Sequence, residues 1–162
     1  MKFGSINAFL THLARVAATL PEAQRHGEEA AGAGLAHHAQ ALIGAEAENW
    51  PGLADSTIAQ KTARGQVGRI SPTDPLYAKG DLRESISFQA DTHGLVLGST
   101  DPVAPFHEHG TSRMPPRPFI GPTMFVHGHA AADLIAGYVV GAFAGRTRPI
   151  GDHRTALPPG KA

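Results

Sequence analysis

Pro115, Pro116 and Pro118 fall within four residues, and neither a helix nor an interior strand can run through them. Each also pushes the residue before it to extended backbone. Residues 112–118 therefore form an extended arm that divides the chain. Beyond the arm, Gly121-Pro122 suits the first turn of a helix. That helix is predicted over 122–144, with Phe125, Leu134, Ile135, Tyr138, Val139 and Phe143 as its apolar residues.

Before the arm, the period of two is clearest in "LRESISFQA", where Leu82, Ile86 and Phe88 alternate with Arg83, Ser85, Ser87 and Gln89. "DTHG" reads as a turn and "LVLGS" as the return strand, giving a hairpin over 82–99. "FHEHG" fits either a third short strand or one helical turn. Farther upstream the period is helical. Ile6, Leu10, Leu13, Ala17 and Leu20 recur at steps of three and four over 4–20, and Ser5 is placed to cap the first turn. Pro21 suits the first turn of a second helix running to about Glu48. That second helix is alanine-rich, and Gly27, Gly32 and Gly34 weaken it by up to about 1 kcal/mol each relative to alanine. So thin a helix is expected to lie against a sheet or a neighbouring subunit. Residues 49–80 are irregular except for a short helix over 55–64, with Trp50 and Leu53 pinning the start of the loop to the core.

The expected fold is α+β: N-terminal helices, a small antiparallel sheet with a long loop and proline-rich arm, then a C-terminal helix. One domain covers 1–145, and 146–162 reads as a disordered basic tail. The formal net charge of the 162 residues is zero, so the whole molecule is not steered toward nucleic acid or membrane. No stretch approaches the roughly 18 apolar residues of a membrane span. The sequence has no cysteine, which removes disulfides, thiolate zinc sites and thiol catalysis. The expected site of synthesis is the cytoplasm.

The ten histidines raise metal binding. His107 and His109 flank Glu108, and on a strand they would share a face; His127 and His129 form a second pair. A metal-binding module or metal-dependent enzyme built on these pairs is one reading of the chain. Serine, histidine and aspartate occur without a GxSxG elbow, and the glycines form neither GxxxxGK[ST] nor GxGxxG, so no hydrolase or nucleotide signature is present. Lys61, Arg64, Arg69, Lys79 and Arg83 read as a solvated basic loop. No cofactor is expected.

The order of motifs is more specific than any one of them. "WPGL" at 50–53 is followed by Thr57 and Lys61, then "PLYAKGDLRESI" at 75–86, "VLGST", "APFHEHGT" at 104–111 and "PPRPFIGP" at 115–122. Over residues 50–144 this order resembles the small neck and tail-completion proteins of tailed bacteriophages. Lys79 and Val103 depart from the threonine and tyrosine usual there. The resemblance implies a structural virion protein and not an enzyme. It would sit at the head–tail junction, in a homo-oligomeric ring whose sixfold symmetry comes from the resemblance alone. Its partners would be a connector, tail terminator or tail tube protein.

The chemistry of the arm suits such a role. Prolines lower the ordering cost of an extended segment laid across a neighbour. Phe106 and Phe119 are of the kind that anchors in pockets, and Arg113 and Arg117 of the kind that pairs with carboxylates. His107, Glu108, Pro115, Pro116 and Pro118 complete the expected partner interface, and Gly110 is expected at positive φ. The other arrangement open to the arm is a loop wrapped on its own core. If it is a partner interface, trimming 112–119 should block assembly and leave the subunit folded. Arg146, Arg148 and Arg154 are the candidates for contact with DNA in a lumen or with a partner.

Overall fold

The computed structural model describes residues 3–45, 50–65, 71, 73–91 and 94–146. In chain order the elements are α1 (Ile6–Leu42), α2 (Asp55–Ala63), α3 (Asp81–Glu84), β1 (Ile86–Asp91), β2 (Gly94–Ser99), α4 (Ala104–His109) and α5 (Ile120–Phe143). The fold is α+β, as the periodicities indicate. Of the basic tail only Arg146 is described, and it is exposed; Arg148 and Arg154 lie outside the described residues, as do Glu48 and Arg69.

α1 is one helix where the sequence suggests two. Ser5 caps it, its Oγ accepting from the Ala8 N–H at 3.2 Å. The helix then runs through Pro21. Pro21 lacks the N–H that would bond the Ala17 carbonyl, but both residues are exposed, so water can satisfy that carbonyl. A proline on a solvent face is thus tolerated inside a helix that is held elsewhere by packing.

The hairpin is shorter than its alternation suggests. β1 pairs antiparallel with β2, from Ile86 opposite Ser99 to Asp91 opposite Gly94. Residues 81–84 form a helical turn instead of the start of the strand. Gly80 opens the turn at φ 107°, and the Glu84 and Ser85 N–H groups donate to the Gly80 and Asp81 carbonyls at 2.9 Å each. Leu82 and Ile86 are both buried. A separation of four fits a strand and a helix equally, so the apolar spacing could not separate the two.

α1 is the axis of the molecule. α5 lies antiparallel along it, with Gly27 against Ile135 and Tyr138 and His38 against His127. Ala31, Leu35, Ala131 and Leu134 form the core between the two helices. A second core joins Ala36, Ala39 and Ile43 of α1's C-terminal end to Leu82, Ile86, Ala104 and Phe119, and Trp50 packs on it. The small residues of α1 let the hairpin approach closely. A Cβ on Gly32 would lie 2.6 Å from Phe88 Cγ and 2.7 Å from Leu95 Cδ1. Gly32→Ala is therefore expected to destabilise by about 1–2 kcal/mol, because displacing the Phe88 ring outweighs the helix-propensity gain of about 1 kcal/mol. The urea midpoint checks this; a stabilised variant would show that the hairpin is not seated there.

Candidate functional site

The motifs that stand apart in the sequence converge around the arm. α4 delivers Glu108 to the start of α5. Its Oε2 accepts from the Phe119 and Ile120 N–H groups at 2.9 and 3.1 Å, and its Oε1 accepts from the Gly121 N–H at 2.7 Å. The first N–H groups of a helix have no partner within the helix, and a carboxylate there is also favoured by the helix dipole. Pro122 has no N–H to satisfy. One carboxylate and one proline thus complete the N-terminus of α5.

Arg117 is 6% exposed. Its Nε donates to the Pro51 carbonyl at 3.2 Å, and its Nη2 donates to the Pro51 and Gly52 carbonyls at 2.8 and 3.1 Å. Its backbone N–H donates to the His107 carbonyl at 2.7 Å. The guanidinium therefore ties "PPRP" to "WPG" through main-chain oxygens. Phe119 is fully buried. Lys61 is buried as well, and its Nζ donates to the Asp74 carbonyl at 2.7 Å; Arg83 Nε donates to the Gln40 carbonyl at 3.1 Å. These two expected members of a solvated basic loop instead hold segments of the fold together.

The expected interface residues divide into two sets. Glu108, Arg117 and Phe119 make their contacts inside the chain, and Pro118 and His107 are half-buried. Phe106, Arg113, Pro115 and Pro116 face outward. The arm is closed by a tight turn in which Thr111 and Met114 exchange backbone hydrogen bonds at 2.8 and 3.3 Å. Gly110 enters that turn at φ 74°, where a Cβ would meet the Met114 carbonyl oxygen at 2.9 Å. Residues 115–118 are free of helix and strand, as their prolines require, but 111–114 form a turn where extended chain was expected, and Arg117 and Phe119 wrap on the chain's own core.

No family model matches the chain, and no curated protein or solved structure matches it. The geometry must therefore carry the functional reading.

The histidine pairs do not assemble a ligand set. "FHEHG" is helical, so His107 and His109 are turned apart by roughly 200°, and His127 and His129 on α5 diverge in the same way. Among the described residues no group of three or more His, Asp or Glu side chains converges as a metal site. His127 stacks instead on His38 of α1, with ring centroids 3.9 Å apart.

Burial pushes the His127 imidazole below the ordinary histidine range, and His38 adds to the effect. Burial lowers His107 too, helped by the Arg117 cation and opposed by Asp101. Both groups bind protons more readily in the unfolded chain. Their contribution to stability is thus complete above about pH 6.5 and is lost as the pH falls below it. The urea midpoint is expected to drop on acidification through that range, and to drop less in His127→Phe. A midpoint that rises there would contradict the burial of these rings.

The surface the sequence reading missed is apolar. The first turns of α1 expose Ile6, Phe9, Leu10 and Leu13, and Phe3 just before them is exposed as well. α5 exposes Phe125, Val140 and Phe143 on the side away from α1. The helical stripe at 6–20 is visible in the sequence, but periodicity gives a face and not what covers it. Between the two regions, α1 and the end of α5 enclose a cavity of about 560 Å³ lined in part by Arg15, Glu22, His26 and Arg146.

Proposed function

We propose that this chain is a structural virion protein of the head–tail junction of a tailed phage, acting by protein–protein binding in a ring. The observation that carries the reading is the exposed apolar start of α1, Ile6, Phe9, Leu10 and Leu13, with Phe3 before it. Soluble monomers rarely keep such a contiguous patch uncovered, and its presence marks a binding surface. The ordered motifs at 50–122 support the same reading through the resemblance they carry. Their hydrogen bonds are those of a scaffold: a capping carboxylate, a buried guanidinium on carbonyls and a buried ammonium on a carbonyl. Nothing in that set offers a nucleophile beside a base. Phe106 of α4 and the outward residues of the arm, Arg113, Pro115 and Pro116, are the surface offered to a connector, tail terminator or tail tube protein. The histidine pairs give the metal-binding reading no comparable support.

Labelling the chain on purified particles and imaging them by electron microscopy tests the proposal. Signal at the head–tail junction is expected. A chain that is absent from mature particles would overturn it.

A further inference from the structure

We propose that the cavity between α1 and the end of α5 is a binding site for a phosphate group, carried by a free phosphate monoester or by a polynucleotide backbone. The site shares no residue with the arm and does not depend on the virion role.

Two guanidiniums from different helices line the cavity, Arg15 and Arg146. Arg15 lies on α1 and is the one formal charge from Phe3 to Pro21. Arg146 follows α5, and the end of that helix places it. Gly145 stands at φ 70°, its N–H donates to the Ala142 carbonyl at 3.0 Å, and the Arg146 N–H donates to the Gly141 carbonyl at 2.9 Å. This paired, left-handed ending ties the residue after the glycine back to the last turn. Neither guanidinium has a hydrogen-bond or ion-pair partner among the described residues.

The nearby carboxylates do not cancel them. Among the described residues Glu22 is the one carboxylate that lines the cavity, and its Oε1 lies 3.6 Å from His26 Nε2. Glu29, one helical turn beyond His26, is paired with Arg25 at 2.7 Å. Two guanidiniums thus face a single carboxylate, and the lining keeps an excess of positive charge. A helix C-terminus ordinarily repels an anion. At the end of α5 the Gly141 and Ala142 carbonyls are already occupied by the Arg146 and Gly145 N–H groups, and Arg146 adds a full positive charge.

The lining sets the class of ligand. A guanidinium presents paired N–H donors that match phosphate oxygens, and two of them suit a doubly charged group. Val16, Ala23 and Ala142 supply an apolar wall. About 560 Å³ is of the size that holds a small organic ligand, so the body of a monoester has room beside its phosphate. No Phe, Tyr or Trp lines the cavity among the described residues. A nucleic-acid base would therefore find no stacking platform, and the phosphate itself is the group recognised.

NMR titration of the purified full chain at low ionic strength tests this with two probes, phenyl phosphate and a short DNA duplex. Saturable shifts at the amides of Ala23 and residues 142–146 are expected with millimolar ligand. Saturation by phenyl phosphate alone would assign a free monoester, and saturation by the duplex alone a polynucleotide backbone. Arg15→Gln and Arg146→Gln should each weaken binding about tenfold or more. Arg64→Gln removes the same charge at an exposed position outside the cavity and should leave binding unchanged. All three arginines are exposed, so the melting temperatures should match the parent. Arg15→Lys keeps the charge without the fork and should bind between Arg15→Gln and the parent. A chain that shows no saturable shift with either probe would overturn the proposal. So would a loss in Arg64→Gln equal to that in Arg15→Gln. Particles do not enter this readout, so the site and the virion role fail separately.

Discussion

Phe119→Ala is expected to lower the unfolding free energy of the isolated subunit by about 4 kcal/mol, in the range for a fully buried phenylalanine. At this chain length that is a fall in melting temperature of roughly 10 °C. The size follows from position. Phe119 is 0% exposed and packs in the cluster that joins Ala39 and Ile43 of α1 to Leu82, Ile86 and Ala104. Its loss leaves a void where four segments meet, and rigid helices cannot collapse into it easily. Its backbone is also held, since its carbonyl accepts from Thr123 Oγ1 at 2.7 Å. A phenylalanine anchored in a partner behaves differently: truncating it would leave the subunit's melting temperature unchanged and weaken assembly alone. Thermal unfolding of the subunit separates the two, and an unchanged midpoint would put Phe119 back on the interface. The same argument changes how the arm should be cut. Removing 112–119 takes out Phe119 and Arg117 and is expected to unfold the subunit, so a loss of particles would say nothing of the interface. Arg113→Glu with Phe106→Ala alters the outward half alone.

What the sequence disclosed and what it hid have physical reasons. The Ser5 cap, the hairpin and the start of α5 depend on residues within a few positions of one another, and these were legible. Pro21 was misleading because proline suits both a first turn and an exposed interior position, and only the packing of α1 against α5 selects the second. Leu82 and Ile86 satisfy two periods at once. Gly32 looked like a weakness in a helix, but it is where Phe88 needs room. The inward half of the site was hidden for another reason. Arg117 reads as a partner for a carboxylate, but its acceptors are the main-chain oxygens of Pro51 and Gly52, 66 and 65 residues away, and no side-chain pattern encodes a carbonyl. Neither was the bare face of α1 readable as bare, because its residues are those of any core stripe.

Glu108→Ala is expected to cost about 3 kcal/mol, and Glu108→Gln about half as much. A hydrogen bond to a charged group contributes about 1.5–3 kcal/mol, and leaving a buried donor unmade costs about 1–3 kcal/mol. Glu108 serves three donors, so the sum of single bonds would be larger. Water can reach Gly121, which is exposed, and that holds the figure down. Glutamine keeps one acceptor oxygen but turns an NH2 group toward the remaining N–H groups, and it loses the charge that the helix dipole favours. Urea unfolding gives the totals, and amide hydrogen exchange locates them: Phe119, Ile120 and Gly121 should lose protection before the rest of α5. A loss under about 0.5 kcal/mol in Glu108→Ala would mean that the cap does not hold the arm. Glu108 and Phe119 also act on one joint, because the Phe119 N–H is one of the three donors. Once either side chain is gone, the start of α5 is already free to move and the other has less left to stabilise. The double variant is therefore expected to cost less than the two single losses together, by about 1 kcal/mol or more.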